Sequence, residues 1–326
     1  MFWKGPVFTK DGFTGEGINL ETCSIANTLD GGEDGIIVPL FRNCHTHLGD
    51  TLARDEVPEG LTLTELVGPS GWKHEWLETN PTEASILAGM REIIASGTGL
   101  VMDFREGGKA GLNAFAEMEY PGTLILLGRP EGKDGLPGDN AGISSLSDVG
   151  EMAVEMVQQS RKRNGLVGIH HSENEHEEIQ AIIDLKPDFL VHMCHATNDD
   201  LEAVGSAGIS IVVCPRSNSY FGNLPPLTKM LELGIDVGFG TDNGMLCTAN
   251  MLDEIRFIRQ EFDSVDLQQI LSIACFGLDD MFNKDGTSTY SNLDQNGWVL
   301  LTRTAEDNFE SVFSPNTEIL GVRWRN

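Results

Sequence analysis

Short runs of β-branched and other apolar residues alternate with amphipathic segments from Ile36 onward, which is the pattern of βα units on a parallel sheet. Eight strands with intervening helices predict an α/β fold, a closed (β/α)8 TIM-type barrel rather than an open sheet. The predicted strands are Ile36 to Cys44, Gly99 to Phe104, Thr123 to Gly128, a weak one at Ala141 to Ser144, Leu166 to His170, Phe189 to His192, Ser210 to Cys214 and Asp236 to Gly240.

Capping residues and glycines delimit the predicted helices between these strands. The helix over Pro81 to Ser96, for example, follows Asn80 and ends at Gly97, a capping residue at one end and a helix-terminating glycine at the other. The segment Gly49 to Asn80 follows the first strand and has no strong periodicity. In a barrel such a segment is expected to form an active-site lid.

Two terminal regions lie outside the barrel pattern. Residues 1–35 are rich in glycine and turn residues, and the C-terminal region contains two predicted strands, Trp298 to Thr302 and Ile319 to Trp324. The sequence therefore predicts a barrel domain over residues 36–288 and a small flanking β subdomain formed by residues 1–35 and 289–326.

The composition narrows the classes of partner and compartment. Of the 326 residues, 50 are acidic and 22 basic, which gives a net charge of −28 and disfavours binding to nucleic acid or to anionic membrane surfaces. Scattered cysteines, no signal-peptide pattern and no long apolar run predict a cytoplasmic protein. We also expect that its substrate is a small molecule. The sequence leaves the oligomeric state open, with a homo-oligomer paired through the small sheets as one option.

Histidines and a carboxylate stand at the ends of predicted strands. His45 and His47 are two residues apart at the end of an apolar run, so both imidazoles face one side of the strand. Taken alone, such a pair is more often explained by surface histidines than by a metal site. However, His170, His192 and Asp242 end the fifth, sixth and eighth strands, and the strand ends of a barrel converge at one mouth. Imidazoles with a carboxylate predict a zinc-type site.

Five short segments, in this order and spacing, carry a family resemblance. They are His-Thr-His-Leu from His45, His170-His171-Ser172-Glu173, His192-Met193-Cys194-His195, Cys214-Pro215-Arg216-Ser217-Asn218 and Gly240-Thr241-Asp242. The sequence resembles the amidohydrolase superfamily, in particular the cytosine deaminase and chlorohydrolase-like branch that includes adenosine-type deaminases. The resemblance covers roughly residues 36 to 260.

The resemblance implies a role for each strand-end residue. The metal ligands would be His45, His47 and His170, and Asp242 would complete the metal site and contact the attacking water. Glu173 would be the proton shuttle, and His192 would polarise or orient the substrate.

Neighbouring residues leave alternatives to these assignments. His171 competes with His170 as the ligand from the fifth strand, although strand alternation turns the two to opposite faces. His195 is expected to pack or hydrogen-bond near the barrel rim. Ser217-Asn218 are expected to hold the loop after the seventh strand, with a substrate contact as the less favoured alternative.

The end of the fourth strand bears on the number of metal ions. Relatives with two metals use a bridging ligand there, often a carboxylated lysine, and Gly142 to Ser147 contains no lysine. We therefore expect one divalent ion, Zn²⁺ with Fe²⁺ as the alternative. Arg129 and Lys133, after the third strand, are either contacts for an anionic group of the substrate or solvated surface.

Together these features predict an enzyme, an amidohydrolase acting on carbon–nitrogen bonds other than peptide bonds. The leading function is hydrolytic deamination of an aminated heterocycle, nucleobase or nucleoside-like, by metal-hydroxide attack. The alternatives are hydrolysis of a cyclic amide, chlorohydrolase-type hydrolysis, and a catalytically inactive metal-binding barrel that acts as a binding protein. The sequence alone does not identify the substrate.

Overall fold

A computed structural model of the chain describes residues 1–26, 31–131, 134–283 and 297–325. Its strands fall into three sheets. They are β1 (Phe2–Lys4), β2 (Val7–Thr9), β3 (Gly12–Thr14), β4 (Gly17–Asn19), β5 (Ser24–Ala26), β6 (Glu33–Asp34), β7 (Ile36–Pro39), β8 (Phe41–His47), β9 (Thr98–Arg105), β10 (Thr123–Gly128), β11 (Asn140–Ile143), β12 (Val167–His171), β13 (Phe189–His192), β14 (Ser210–Val213), β15 (Val237–Phe239), β16 (Asp242–Asn243), β17 (Gly297–Leu301) and β18 (Ile319–Trp324).

Helices connect the strands, together with a 3₁₀ helix at Leu48–Ala53. They are α1 (Leu63–Val67), α2 (Trp72–Thr79), α3 (Thr82–Ala95), α4 (Gly108–Asn113), α5 (Leu146–Val149), α6 (Met152–Lys162), α7 (Gln180–Leu185), α8 (Asn198–Ala207), α9 (Pro215–Tyr220), α10 (Leu227–Glu232), α11 (Met251–Glu261), α12 (Leu267–Phe276), α13 (Asp279–Asn283) and α14 (Asn308–Phe313). None of the helices in the described ranges combines the length and apolar character needed to cross a membrane.

The central sheet is parallel and closes on itself. Its strands follow chain order from β8 to β15, with β16 beside β8 at the other end. Only Gly240 and Thr241 separate β15, which pairs with β14, from β16, which pairs with β8. The two segments therefore act as one eighth strand that joins the seventh to the first. The prediction of an α/β fold with a TIM-like barrel is confirmed.

A tight joint connects this eighth strand to the first. A Cβ at Gly240 would lie only 2.8 Å from the backbone nitrogen and oxygen of His45, so a residue without a side chain is required there. Next to it, the Asn43 amide accepts a hydrogen bond from the Thr241 backbone N–H at 3.0 Å and donates one to the Thr241 hydroxyl at 2.8 Å. The joint places Asp242, the next residue, beside His45.

The first predicted strand is divided between two sheets. Ile36–Pro39 pairs with β17 and β2 in a five-stranded sheet of order β18-β17-β7-β2-β3, and only Phe41–His47 joins the barrel. The predicted bounds Ile36 to Cys44 are therefore wrong, because the chain passes from one sheet to the other at Leu40. Every residue of both segments is buried, so no alternation of polar and apolar positions marks the change.

The terminal segments supply the two smaller sheets. The five-stranded sheet contains β17 and β18, and a four-stranded sheet has the order β5-β4-β1-β6. The grouping of residues 1–35 and 289–326 into one subdomain stays a prediction, and residues 289–296 lie outside the described residues.

Alternate residues of the barrel strands form a core inside the ring. Four of the strands contribute residues two apart to one buried cluster, namely Met102 and Phe104, Ile125 and Leu127, Phe189 and Val191, and Val212 with Cys214 just after its strand. Residues two apart face the same side of a strand, and the intervening positions pack against the helices. The barrel is therefore filled with side chains below its mouth, as this fold requires.

Two glycine substitutions test the closure of the barrel. We expect Gly240→Ala to destabilise the protein by about 1–3 kcal/mol, the usual range for overpacking, because its Cβ would force the first and eighth strands apart. Gly205→Ala, inside α8 with its nearest neighbour 3.4 Å away, should be neutral or stabilise by up to about 1 kcal/mol. Urea unfolding of both variants measures the difference in stability. Equal unfolding midpoints for the two variants would contradict the close contact of the two strands at Gly240.

Candidate active site

Four of the expected site residues meet at the mouth of the barrel. Oδ1 of Asp242 lies 3.1 Å from Nε2 of His45 and 3.5 Å from Nε2 of His47. Nε2 of His170 lies 3.2 Å from Nε2 of His45. All four side chains are buried. Ligand-type atoms lie within 4.8 Å of one another in two groups that share His45, one with His47 and Asp242 and the other with His170 and His192.

The three separations given above fit the ligand spacing around a tetrahedral divalent metal. Bonds of about 2.0–2.1 Å, usual for zinc with nitrogen or oxygen, give ligand-to-ligand distances of about 3.3 Å in a tetrahedron, close to the separations observed. Burial lowers the pKa of His45 to about 4 and that of His47 to about 3. Both rings are therefore neutral at pH 7, which is the form that binds a metal.

The two oxygens of Asp242 have different surroundings. Oδ1 faces the histidines, whereas Oδ2 accepts hydrogen bonds from the Ser217 hydroxyl at 2.5 Å and the Asn243 amide at 2.9 Å. Burial alone would raise the pKa of Asp242, but the hydrogen bond to His45 and the electrostatic effect of the neighbouring imidazoles hold the pKa well below its usual range. The carboxylate is ionised, and its orientation is set from both sides.

Glu173 and His192 lie next to this cluster. Oε2 of Glu173 is 3.4 Å from Nε2 of His192, and Nδ1 of His192 accepts a hydrogen bond from the Asn218 amide at 3.1 Å. A ring that accepts at Nδ1 carries its proton on Nε2. Burial raises the pKa of Glu173 to about 7, against the opposing effect of His192. At neutral pH the site thus contains a carboxyl group that can donate a proton.

Several of these strand ends have a left-handed backbone. The φ angle is 77° at His192, 59° at Asp242 and 49° at Ser172, a conformation that is unfavourable for residues with a side chain. Such strain concentrates at functional sites, where the surrounding structure maintains it. Here it turns the chain at the points where Glu173, His192 and Asp242 must face the cluster.

A pocket opens over the cluster. One wall is apolar and consists of Leu63, Val67 and Pro69 from α1 and the turn that follows it. A second wall is polar and contains Arg129 and the serines after the fourth barrel strand. The other lining residues are His47, Thr64, Gly68, Lys73, His74, Glu106, Ser144, Ser145, Ser147, Asp148, His170, His171, Glu173, Asn174, Glu175, Glu177, His192, Asp242 and Asn243. The segment expected to be a lid, Gly49 to Asn80, thus supplies a pocket wall.

The structure places the alternative residues as follows. His170 points its Nε2 into the cluster, whereas Nδ1 of His171 lies 3.5 Å from Glu177. The backbone N–H of His195 donates to the Ser172 carbonyl at 2.9 Å, and its side chain does not line the pocket. Arg129 lines the pocket, and Lys133 lies outside the described residues.

The loop after the seventh strand is closer to the chemistry than we expected from the sequence. Ser217 bonds Asp242 directly, and Asn218 bonds His192 directly. Both contacts belong to α9, which begins at Pro215 immediately after the strand. These residues orient two of the proposed catalytic groups as well as holding a loop.

A charged group beside His47 was missed by the sequence analysis. Oε1 of Glu106 lies 2.9 Å from Nδ1 of His47 and 3.1 Å from Nζ of Lys73, and Arg105 bonds the other Glu106 oxygen. Glu106 directly follows β9 and precedes two glycines, so the strand-end signal that identified His45 was present here too. Lys73 lies in the segment between the first two barrel strands and carried no comparable signal.

Comparisons with known proteins agree with this geometry. The model of the amidohydrolase family matches residues 143–285. A relative from Archaeoglobus fulgidus, provisionally described as an aminohydrolase, is 34% identical over 265 residues, 78% of each chain. A 5-methylthioadenosine/S-adenosylhomocysteine deaminase from Haloquadratum walsbyi is 27% identical, over 71% of this chain and 61% of its own. A zinc-bound adenosine deaminase from Xanthomonas campestris superposes with a TM-score of 0.74 at 13% identity, over 98% and 90% of the two chains.

The fold and the site define a hydrolase built on a TIM-like barrel with a metal-type cluster at its mouth. The chain belongs to the amidohydrolase family. The predictions of this family, and of an enzyme that acts on carbon–nitrogen bonds, are confirmed. Several relatives by sequence are named as deaminases, in agreement with hydrolytic deamination as the leading type of reaction.

A pair of adjacent histidines tests the assignment of the metal ligand on the fifth strand. We expect His170→Asn to lose most of the bound metal, because its Nε2 is part of the cluster. His171→Asn should retain it, because that ring faces Glu177. Metal content after dialysis, measured by mass spectrometry, separates the two. Loss from the His171 variant alone would reverse the assignment.

Proposed function

We propose that this chain is a metal-dependent deaminase that replaces the exocyclic amine of an aminopurine nucleoside with oxygen and releases ammonia. The observation that carries this proposal is the position of Glu173. It is a carboxyl group with a pKa of about 7, and it shares the pocket with the histidine and aspartate cluster. A binding protein without catalysis would have no use for such a group.

One divalent ion, Zn²⁺ with Fe²⁺ as the alternative, would be held by His45, His47, His170 and Asp242. When bound, such an ion lowers the pKa of water and supplies a nucleophile at neutral pH. The fourth barrel strand ends at Ile143 and is followed by Ser144 and Ser145. No lysine is present there to bridge a second ion, which supports a single-metal site.

The remaining groups move protons and stabilise charge. Asp242, ionised and itself one of the proposed ligands, accepts the proton of the attacking water. Glu173 donates its proton to a ring nitrogen, which makes the adjacent carbon more electrophilic. The Nε2–H of His192 donates a hydrogen bond to the oxygen that becomes negatively charged. The carbon–nitrogen bond then breaks. Of the two protons that the attacking water loses, one converts the leaving amine to ammonia, and the other replaces the proton that Glu173 gave to the ring.

The pocket walls fit a substrate with one flat apolar part and one hydroxylated part. A purine ring can lie against Leu63 and Val67, while sugar hydroxyls face Arg129 and Ser144. Relatives named for the deamination of 5-methylthioadenosine, S-adenosylhomocysteine and 5'-deoxyadenosine support the same class of substrate. Arg129 is therefore proposed as a substrate contact instead of solvated surface.

Ammonia release tests the reaction and the role of Glu173. Adenosine, 5'-deoxyadenosine and 5'-methylthioadenosine should release ammonia, whereas guanine, cytosine, a cyclic amide and a chlorotriazine should not. Glu173→Gln should reduce kcat by about 10²–10⁴-fold, the usual contribution of a positioned acid or base, with its metal content unchanged. Glu178→Gln, an exposed neighbour, should behave as wild type. Activity only on the cyclic amide or the chlorotriazine would replace the proposed substrate class.

The pH dependence of kcat/KM tests the protonation state of Glu173. Because burial raises the pKa of Glu173 to about 7, its proton is present below that pH and lost above it. We therefore expect kcat/KM to fall as the pH rises through about 7. The residual activity of Glu173→Gln should lack this decline. A wild-type profile that stays flat up to pH 9 would show that Glu173 is not the acid.

A further inference from the structure

His47 has one ring nitrogen directed at the cluster and the other at a carboxylate. Its Nε2 faces Asp242, whereas its Nδ1 lies 2.9 Å from Oε1 of Glu106. An ionised carboxylate only accepts hydrogen bonds, so Nδ1 must carry the proton. Nε2 is then left with a lone pair that points at the cluster. His170 follows the same rule, since its Nδ1 lies 3.0 Å from the carbonyl oxygen of Ile143.

Glu106 is itself held by cations. Nη2 of Arg105 contacts its Oε2, and Nζ of Lys73 lies 3.1 Å from its Oε1. Space for this group is created by two glycines. A Cβ at Gly49 would lie 2.3 Å from Nη2 of the buried Arg105, and one at Gly111 would lie 1.8 Å from the backbone oxygen of Glu106. The packing around Glu106 therefore leaves its carboxylate little freedom to turn away from His47.

Lys73 connects helix α2 to this arrangement. Its side chain is 4% exposed, and burying an ammonium group is costly unless all of its protons are bonded. Nζ donates a hydrogen bond to Oδ1 of Asn243 at 2.9 Å and forms ion pairs with Oδ2 of Asp50 at 3.0 Å and Oε1 of Glu106. Asn243 in turn donates to Asp242. One lysine thus contacts the hydrogen-bond partners of two proposed ligands.

We propose that Glu106 is a positioning residue that sets the tautomer and orientation of His47, and that Lys73 holds Glu106 and Asn243 in place from the segment between the first two barrel strands. This rests on the metal site proposed above. It assigns to Gly49–Asn80 a second role beyond forming a pocket wall, because the segment becomes part of the support of the metal ligands. Partners of this kind typically alter metal affinity by about 10–100-fold when removed.

Competition for Zn²⁺ with a chelator tests the proposal without measuring activity. We expect Glu106→Ala to bind Zn²⁺ about 10–100-fold more weakly than wild type. Glu106→Gln should lose less, because its amide oxygen can still accept from Nδ1 of His47. Lys73→Met should also weaken binding, because Glu106 and Asn243 lose their shared donor.

The matched control is Glu92→Ala. Glu92 accepts two hydrogen bonds from Arg54, at 2.8 and 3.0 Å, and so ties the same segment to α3 without contacting a proposed ligand. Its removal should lower the melting temperature and leave the affinity for Zn²⁺ unchanged. Equal losses of affinity in the Glu92 and Glu106 variants would show general loosening and overturn the proposal.

The other possible results of the Zn²⁺ competition experiment also support or overturn the proposal. A folded Glu106→Ala protein with wild-type affinity overturns the role of Glu106, and a folded Lys73→Met protein with wild-type affinity overturns that of Lys73. If Glu106→Ala does not fold, Glu106→Gln decides, because wild-type affinity in that variant would overturn the proposal and a measurable loss would support it. Wild-type protein that binds Zn²⁺ but releases no ammonia from any substrate would contradict the proposed function alone.

Discussion

The contact between the first and eighth strands of the barrel determines the position of every group in the site. At Gly240 the two backbones approach so closely that no side chain fits, and Asn43 bonds Thr241 through both its amide oxygen and its amide nitrogen. Asp242 follows at once, with its carboxylate 3.1 Å from His45. Without this closure the carboxylate and the histidines would stand at opposite edges of an open sheet.

Burial lowers the pKa of the histidines and raises the pKa of Glu173, and the proposed reaction needs both shifts. It makes the histidines neutral and therefore able to bind a metal, and it raises the pKa of Glu173 to about 7. Asp242 lies in the same buried region but remains ionised, because its hydrogen bonds and the neighbouring histidines outweigh desolvation. Two carboxyl groups in one pocket thus hold different protonation states, as an acid and a base in one reaction require.

Burying several charged side chains beside the site is unfavourable, and ion pairs between them offset this penalty. Lys73, Arg105, Asp50 and Glu106 are all largely hidden from water, and their mutual contacts satisfy charges that would otherwise strongly disfavour the fold. Such a network is sensitive to the loss of any single member. It also stiffens the mouth of the barrel, which keeps ligand atoms in place when chemistry requires small positional tolerances.

The sequence by itself determined the alternation of strands and helices, and it identified His45, His47, His170, His192 and Asp242 as strand-end residues. The family resemblance added Glu173. This was possible because in a parallel barrel all strand ends meet at one face, so position along the chain predicts position in space. Only the tertiary structure decided which side chains support them. Lys73 reaches Glu106 from a different part of the chain. No periodic pattern in the sequence predicts a contact between such distant segments. The division of Ile36 to Cys44 between two sheets was likewise decided by packing, because both parts are buried on every side.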